Sequence, residues 1–204
     1  MPQPQLVDHD KGKVSASTII GDHVSLGENS KIWHHCIVYG NAERPVRIGS
    51  NTQIGSQSHI KPGVTIGNYC RLQDGISIPD LVTIGNYVFV GPRAIFTNDI
   101  VPSVQKVLNH SYRELKTEVK DHVSIGAGAH IGCGITLGEF SFIGLGAVVI
   151  RDVPPFAVVA GSPARIIGDM RDEKYQKLFP ELVPVYTAEP YVRMYKETPM
   201  NAKA

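Results

Sequence analysis

The stretch "IGSNTQIGSQSHIKPGVTIGNYCRLQDGISIPDLVTIGNYVFVGPRAIFTND", residues 48–99, repeats itself every sixth residue. Ile48, Ile54, Ile60, Ile66, Leu72, Ile78, Ile84, Val90 and Phe96 keep an unbroken apolar beat. An amphipathic helix needs apolar spacings of three and four, so this period excludes a helix. The same frame runs earlier through Val14, Ile20, Leu26, Ile32 and Val38, and later through Val119, Ile125, Ile131, Leu137, Ile143 and Val149. Four places after the beat stand small or β-branched residues, among them Ser30, Cys36, Thr52, Ser58, Val64, Cys70, Ala94, Ala129, Ser141 and Ala147. This is the periodicity of a parallel β-helix built from hexapeptides, one short strand and one corner per hexad. The beat points into the axis and the small residue fills the remaining space. Glycine often follows the beat, as at Gly21, Gly27, Gly138 and Gly144, and is read as relieving a corner where φ is positive. Three hexads close one triangular coil, so residues eighteen apart stack at about the 4.8 Å strand spacing. Roughly nineteen hexads give about six coils.

The frame slips twice. The first slip, near Asn41 to Pro45, is short and reads as a tolerated bulge; the second, over 100–118, is long, and a loop of that length without regular structure is functional or disordered. After Val153 the text becomes "PPFAVVAGSPARIIGDM" and leaves the column. The expected organisation is therefore an all-β domain over 1–168 with one excursion, followed by a segment over 169–204. Within that segment, "DMRDEKYQKLFP" reads as a short helix docked by Met170, Tyr175 and Leu178, and the proline-containing remainder as an extended tail.

Composition narrows the function. Lys plus Arg is 20 against 19 Asp plus Glu, and nucleic acid or an anionic membrane as main partner calls for a clear basic excess. No run of eighteen apolar residues is present, the opening "MPQPQLVDHDKGK" lacks a signal-type apolar core, and the 3 cysteines have no C-x-x-C spacing. A cytoplasmic protein with reduced thiols is expected.

The hexad column, its break at "FTND", the early "IWHH" and the stretch "GAGAHIGCGITLGEFSFIGLGAVVIRDVPPFAVVAGSPARIIG" together resemble the left-handed β-helix acyltransferases, and most closely the N-acetyltransferases of nucleotide-linked amino sugars. The resemblance spans roughly residues 14–168. It implies a left-handed column, a homotrimer with sites between neighbouring columns, and acetyl-CoA as co-substrate lying along a groove. It further implies transfer of acetyl to the amine of a nucleotide-linked amino-deoxy sugar used in surface-glycan precursors.

The residues fit that chemistry. A flat β-helix face holds no pocket, so a small-molecule site needs a loop or a partner. Asn98 and Asp74 each sit two places after a beat and point outward; Asn98 is expected to orient the amine or relay its proton, and Asp74 to hold the ammonium or accept from the sugar. They are one coil plus one hexad apart, on adjacent faces. Gln73 and Asp99 are weaker companions for substrate, although Asn and Asp also simply favour turns. Trp33 is a surface indole for a nucleotide base or for packing between columns. His34 matches the family's Trp–His pair, while Ile37 stands where the family often has another histidine. The pantetheine arm of CoA suits a lining of Gly128, Ala129, Gly146 and Ala147, with backbone amides near Ala129 polarising the thioester; the side chains of Ala129 and Ala147 equally suit the inward small-residue sites. Ala164 and Arg165 of "GSPAR" fall where the family meets the nucleotide end of CoA.

Two rivals share the column. A zinc carbonic anhydrase needs about three converging ligands; that family has two histidines five apart, whereas the 8 histidines here include no such pair, and Lys61, Asn68 and Gln73 stand at the ligand places. No metal is therefore expected. An O-acetyltransferase needs a base to activate an alcohol, for which His110 in the excursion and His130 are the candidates. An amine of α-amino type, with pKa about 8, is partly neutral already and needs orientation more than a base.

Overall fold

A computed structural model of the chain describes residues 6–202. Residues 1–5 and 203–204, which include the opening "MPQPQ" and the end of the expected tail, lie outside the described residues.

The hexads form a parallel β-helix. Strands of two to five residues stack into three sheets, and from Gly12–Ser15 to Val148–Val149 consecutive strands fall in successive sheets. The register confirms the period: Thr65 pairs with Thr83, Arg71 with Phe89 and His59 with Ser77, each one coil apart. Across the excursion Phe89 pairs with Ser124 and Ile95 with His130, so the column continues as though the intervening residues were absent. The longest sheet carries eight parallel strands, from Gly12–Ser15 to Ala157–Ala160, rather than the six coils expected. Seven of the eight precede Val153, and the eighth lies beyond it. The "PPFAVVA" text does not leave the column, because Val153 bridges to Leu137 and Val158 pairs with Phe142. Only then does the chain turn back, with Arg165–Asp169 antiparallel to Ala157–Ala160.

The axis is filled as the pattern dictates. Ile54, Ile60, Ile78 and Val90 are 0% exposed. The small residues beside them also bond the coils together: Thr52 Oγ1 donates to the Gly67 carbonyl at 2.8 Å, and the Cys36 and Cys70 thiols to those of Gly55 and Gly85 at 3.1 Å. A buried hydroxyl or thiol is thus satisfied by a carbonyl that the corner leaves free. Burial pushes both thiols up, so these cysteines are structural.

The corner chemistry differs from the sequence reading. The left-handed conformation falls three places after the beat, not one: Asn51, Tyr69, Tyr87, His122 and Phe140 have φ of 57° to 59° there, as do Gly63, Gly75 and Gly128 at 66° to 78°. The glycine directly after the beat is required by close approach. A Cβ on Gly55 would stand 2.5 Å from the Gln73 carbonyl carbon, and one on Gly91 the same distance from the Ala127 nitrogen.

The left-handed corners form an aromatic ladder. Tyr69, Tyr87, His122, Phe140 and Phe156 stack with centroids 4.6 to 5.4 Å apart. The C-terminal segment covers its lower half, with Tyr186 and Tyr191 edge-on to Phe140. That segment is a series of short helices, Glu173–Leu178, Pro180–Leu182 (3-10), Val183–Tyr186 and Val192–Glu197, where the sequence suggested one helix and an extended tail. Met170 is buried and Tyr175 packs against the cluster that Met170 forms with Phe140, Phe156 and Tyr186, but Leu178 is 68% exposed and Phe179 docks in its place, on Phe142. The segment is clamped by Asp169 and Arg171, whose ion pair is almost fully buried.

Candidate active site

The excursion is pinned where it rejoins the column. The Leu115 amide donates to the Asn98 carbonyl at 3.2 Å, closing the loop where it leaves and rejoins the column. Glu114 pairs with Arg44 of the first slip, and Asn41 Oδ1 holds that slip by accepting from the Arg44 amide at 2.7 Å. The first slip is therefore a buttress for the long loop and not a neutral bulge. Within the excursion, Val104–Leu108 is helical, and Val104, Val107 and Leu108 are 62% to 72% exposed.

Under this loop lies a cleft of about 520 Å³ lined by Lys61, Asp80, Asn98, Val107, His110 and Tyr112. Asn98 Nδ2 donates to Asp80 Oδ2 at 3.3 Å. The two residues are one coil apart, both two places after the beat, so β-helix stacking itself brings them together. Asp80 is not among the sequence candidates, although the eighteen-residue rule applied to Asn98 points straight to it. Burial, then Glu114, Asp80 and Asp99, raise the Tyr112 phenol above its ordinary value. His59 is lowered by burial and by Lys61, with Asp80 acting in the opposite direction.

Asp74 stands apart from Asn98 within the chain. It faces a separate cleft with Trp33, Gln53, Arg71 and Gln73, and its Oδ1 accepts from the Ser56 amide at 2.7 Å. Asn68, Asn86 and Asp121 make the same bond to the preceding coil, at 2.7 to 2.9 Å. Asp74 thus has a structural duty at its corner. Trp33 is half-buried in that cleft beside His34, whose Nδ1 lies 2.8 Å from Ser15 Oγ.

On the other side of the excursion, Thr97, Asp99, Ile100, His130, Cys133, Val149 and Ile150 line a mostly apolar groove of about 260 Å³. Asp99 Oδ1 accepts from the Val101 amide at 2.9 Å, and Oδ2 is buried without a partner. Val149 and Ile150 also border the next hollow, which Arg151, Ala164 and Arg165 complete. The groove thereby runs from the excursion to Arg165. Ala129 and Ala147 have fully buried side chains and fill the axis. Their amides, with that of Gly128, already donate within the corners: Gly128 to Pro92 at 2.9 Å, Ala129 to Gly126 at 3.3 Å and Ala147 to Gly144 at 3.2 Å. These amides are engaged rather than aimed at a ligand. Gly128 and Gly146 sit at open corners, with nothing within 4 Å of an added Cβ.

Among the described residues no group of three His, Cys, Asp or Glu is placed to hold a metal ion, and no helix is long and apolar enough to cross a membrane.

The model of the bacterial transferase hexapeptide, six repeats, matches residues 45–75. A Schizosaccharomyces pombe protein named as an acetyltransferase is 38% identical over 94 residues, covering 46% of this chain and 45% of that one. Galactoside O-acetyltransferase of Escherichia coli is 29% identical over 150 residues, 72% of this chain and 64% of the relative. The chain thus spans less than half the length of the first relative and under two thirds of the second. In fold it is similar to a mutant form of AntD, an N-acyltransferase from Bacillus cereus solved with dTDP-4-amino-4,6-dideoxyglucose and coenzyme A. That likeness has a TM-score of 0.54 at 21% identity, over 86% of this chain and 89% of that one. By its matched repeats and its column, the chain is similar to hexapeptide-repeat β-helix transferases over residues 45–75 and shares their fold.

Proposed function

We propose that the protein is an acyl-CoA-dependent N-acyltransferase that moves acetyl from acetyl-CoA to the amine of a nucleotide-linked amino-deoxy sugar. The observation that carries this reading is the pair of hollows on either side of the excursion. One is polar and presents Asn98 with Asp80, and the other is a narrow apolar groove leading to Arg165. A long, thin pantetheine arm suits the groove, and Arg165 with Arg151 suits the phosphates at its end. The acceptor amine then sits by Asn98, whose amide orients it against the thioester, and positioning of this kind carries much of an acyl transfer. Asp99 borders the donor groove. Trp33, His34, Gln73 and Asp74, remote from Asn98 in one chain, serve the sugar nucleotide only if a neighbouring column brings them across. The reading is therefore of a homotrimer, supported by exposed apolar groups such as Phe89, Val104 and Leu108 that one column leaves uncovered. Cyclic closure of three copies would cover them and build three equal clefts.

One observation favours O-acetylation as the second reading: His110 lines the same cleft as Asn98. A screen of CoA release against UDP-, dTDP- and GDP-linked amino sugars, with matching hydroxy sugars as controls, separates the two. Release with an amino sugar and not with its hydroxy counterpart supports N-acyl transfer, and the reverse pattern overturns it.

A further inference from the structure

Resting on that reading, we infer that Asp80 is the proton acceptor of the transfer. Its carboxylate is half-buried at the cleft and held one coil from Asn98. Because Asn98 Nδ2–H is given to Asp80, the amide's carbonyl oxygen remains as the acceptor for an incoming N–H donor. The cleft thus presents two oxygens, one neutral and one anionic, which suits a substrate nitrogen bearing protons. The charged and titratable groups that share the cleft or the field of Asp80 are Lys61 and His59 at the neighbouring strand, and His110 and Tyr112 from the excursion. The side-chain bond that Asp80 makes is to a neutral amide, so the carboxylate retains acceptor capacity.

The step balances without a further reactant. The neutral amine attacks the thioester carbonyl carbon, a C–N bond forms, and the nitrogen becomes cationic in the tetrahedral intermediate. One N–H proton passes to the Asp80 carboxylate, the C–S bond breaks with its electron pair on sulfur, and the carboxylic acid returns the proton to the thiolate. A carboxylate is basic enough to take a proton from that cationic nitrogen, and a carboxylic acid is a stronger acid than a thiol by roughly four pK units. The same group is a poor base for an alcohol, so an Asp at this place matches an amine acceptor. A histidine base would be the expected choice for a hydroxyl.

Asp80→Asn tests this. Asparagine still offers Asn98 a carbonyl oxygen at the same position, so a merely structural role would survive, whereas proton acceptance would not. With acetyl-CoA and the amino sugar that turns over in the screen, kcat should fall on the order of 10²-fold or more, with Kd for CoA unchanged. In Asp80→Ala, added formate should restore part of the rate in proportion to its concentration, which a lost packing contact would not permit. Asp80→Asn with kcat within about threefold of the parent, or Asp80→Ala insensitive to formate, overturns the assignment while leaving N-acyl transfer intact. A parent protein inactive on every amino sugar of the screen removes the underlying reading, and the proton role with it.

Discussion

Replacing Asp169 by Asn should detach the C-terminal helices from the column, and the size of the effect follows from burial. The Asp169 and Arg171 side chains are 1% and 5% exposed. Arg171 Nε and Nη2 donate to the two carboxylate oxygens at 2.8 and 2.7 Å, and Nη1 donates to the Thr198 carbonyl at 2.6 Å. The Asn201 amide and side chain both donate to Asp169 Oδ2, at 3.0 and 2.9 Å, and the guanidinium lies 4.6 Å from the centroid of Phe156. Removing one charge of a buried pair strands the other, at a cost of about 3–5 kcal/mol. If the chain unfolds as one unit, a loss of 1 kcal/mol in a protein of this size lowers Tm by about 2–4 °C, so the expected drop is about 6–20 °C. If the helices detach locally, the loss appears instead in hydrogen exchange over 171–200. The pH dependence has a defined sign. Burial pushes the Asp169 carboxyl up, but hydrogen bonds from Arg171 and Asn201 outweigh it, and the group is held below the usual carboxylate range. A depressed folded value means the stabilisation is present above the unfolded pKa, about 3.9, and is lost as pH falls through the lower folded value. Thermal melts by circular dichroism from pH 7 downward, with exchange measured at pH 7, check both statements. Glu173→Gln, which breaks only the exposed pair with Lys177, serves as the control and should change nothing measurable. An Asp169→Asn protein with Tm within 2 °C of the parent, roughly the effect of 1 kcal/mol or less, and unchanged exchange over the C-terminal helices would refute the clamp.

Three other outcomes are expected. Asn98→Ala should lower kcat on the order of 10²-fold, while His110→Ala and His130→Ala cost far less; steady-state rates decide, and an inactive His110 variant beside an active Asn98→Ala would favour a hydroxyl acceptor. Arg44→Gln should loosen the excursion by releasing Glu114, and a loss of roughly 1 kcal/mol in loop order would reduce kcat/KM about fivefold, with the effect absent in a Glu114→Gln background. Multi-angle light scattering at micromolar concentration should return the mass of three chains, since a single chain leaves the excursion helix bare; a monomer would count against a site shared between columns.

Much of this molecule is legible in its sequence because a β-helix is almost one-dimensional: each coil contacts only its neighbours, so a local period dictates the stacking. The inward residues and the placing of Cys36 and Cys70 follow from counting by six, and the point where the frame resumes, at Val119, marks where the column closes over the excursion. Counting by eighteen also reaches Asp80 from Asn98, whereas Asp74, the partner first read for Asn98, lies on another face. Ala129 and Ala147 take their inward places as the pattern allows, but whether their amides are available depends on corner hydrogen bonds that no periodicity records. The reading of "PPFAVVA" as an exit fails because two prolines and a lost frame look like a terminator, while a parallel strand can still pair beyond them.

By itself, then, the sequence determined the column, its three-sided coil, the inward filling and the site of the long interruption, since these depend on residues one coil apart. Tertiary structure alone decided that a glycine directly after the beat is there for close coil contact, that Arg44 reaches across the fold to Glu114, and that helices rather than an extended tail cover the lower aromatic ladder. The last two join segments tens of residues apart in the chain with no shared period, and the glycine contact, although one coil away, is a backbone distance that only the closed fold sets.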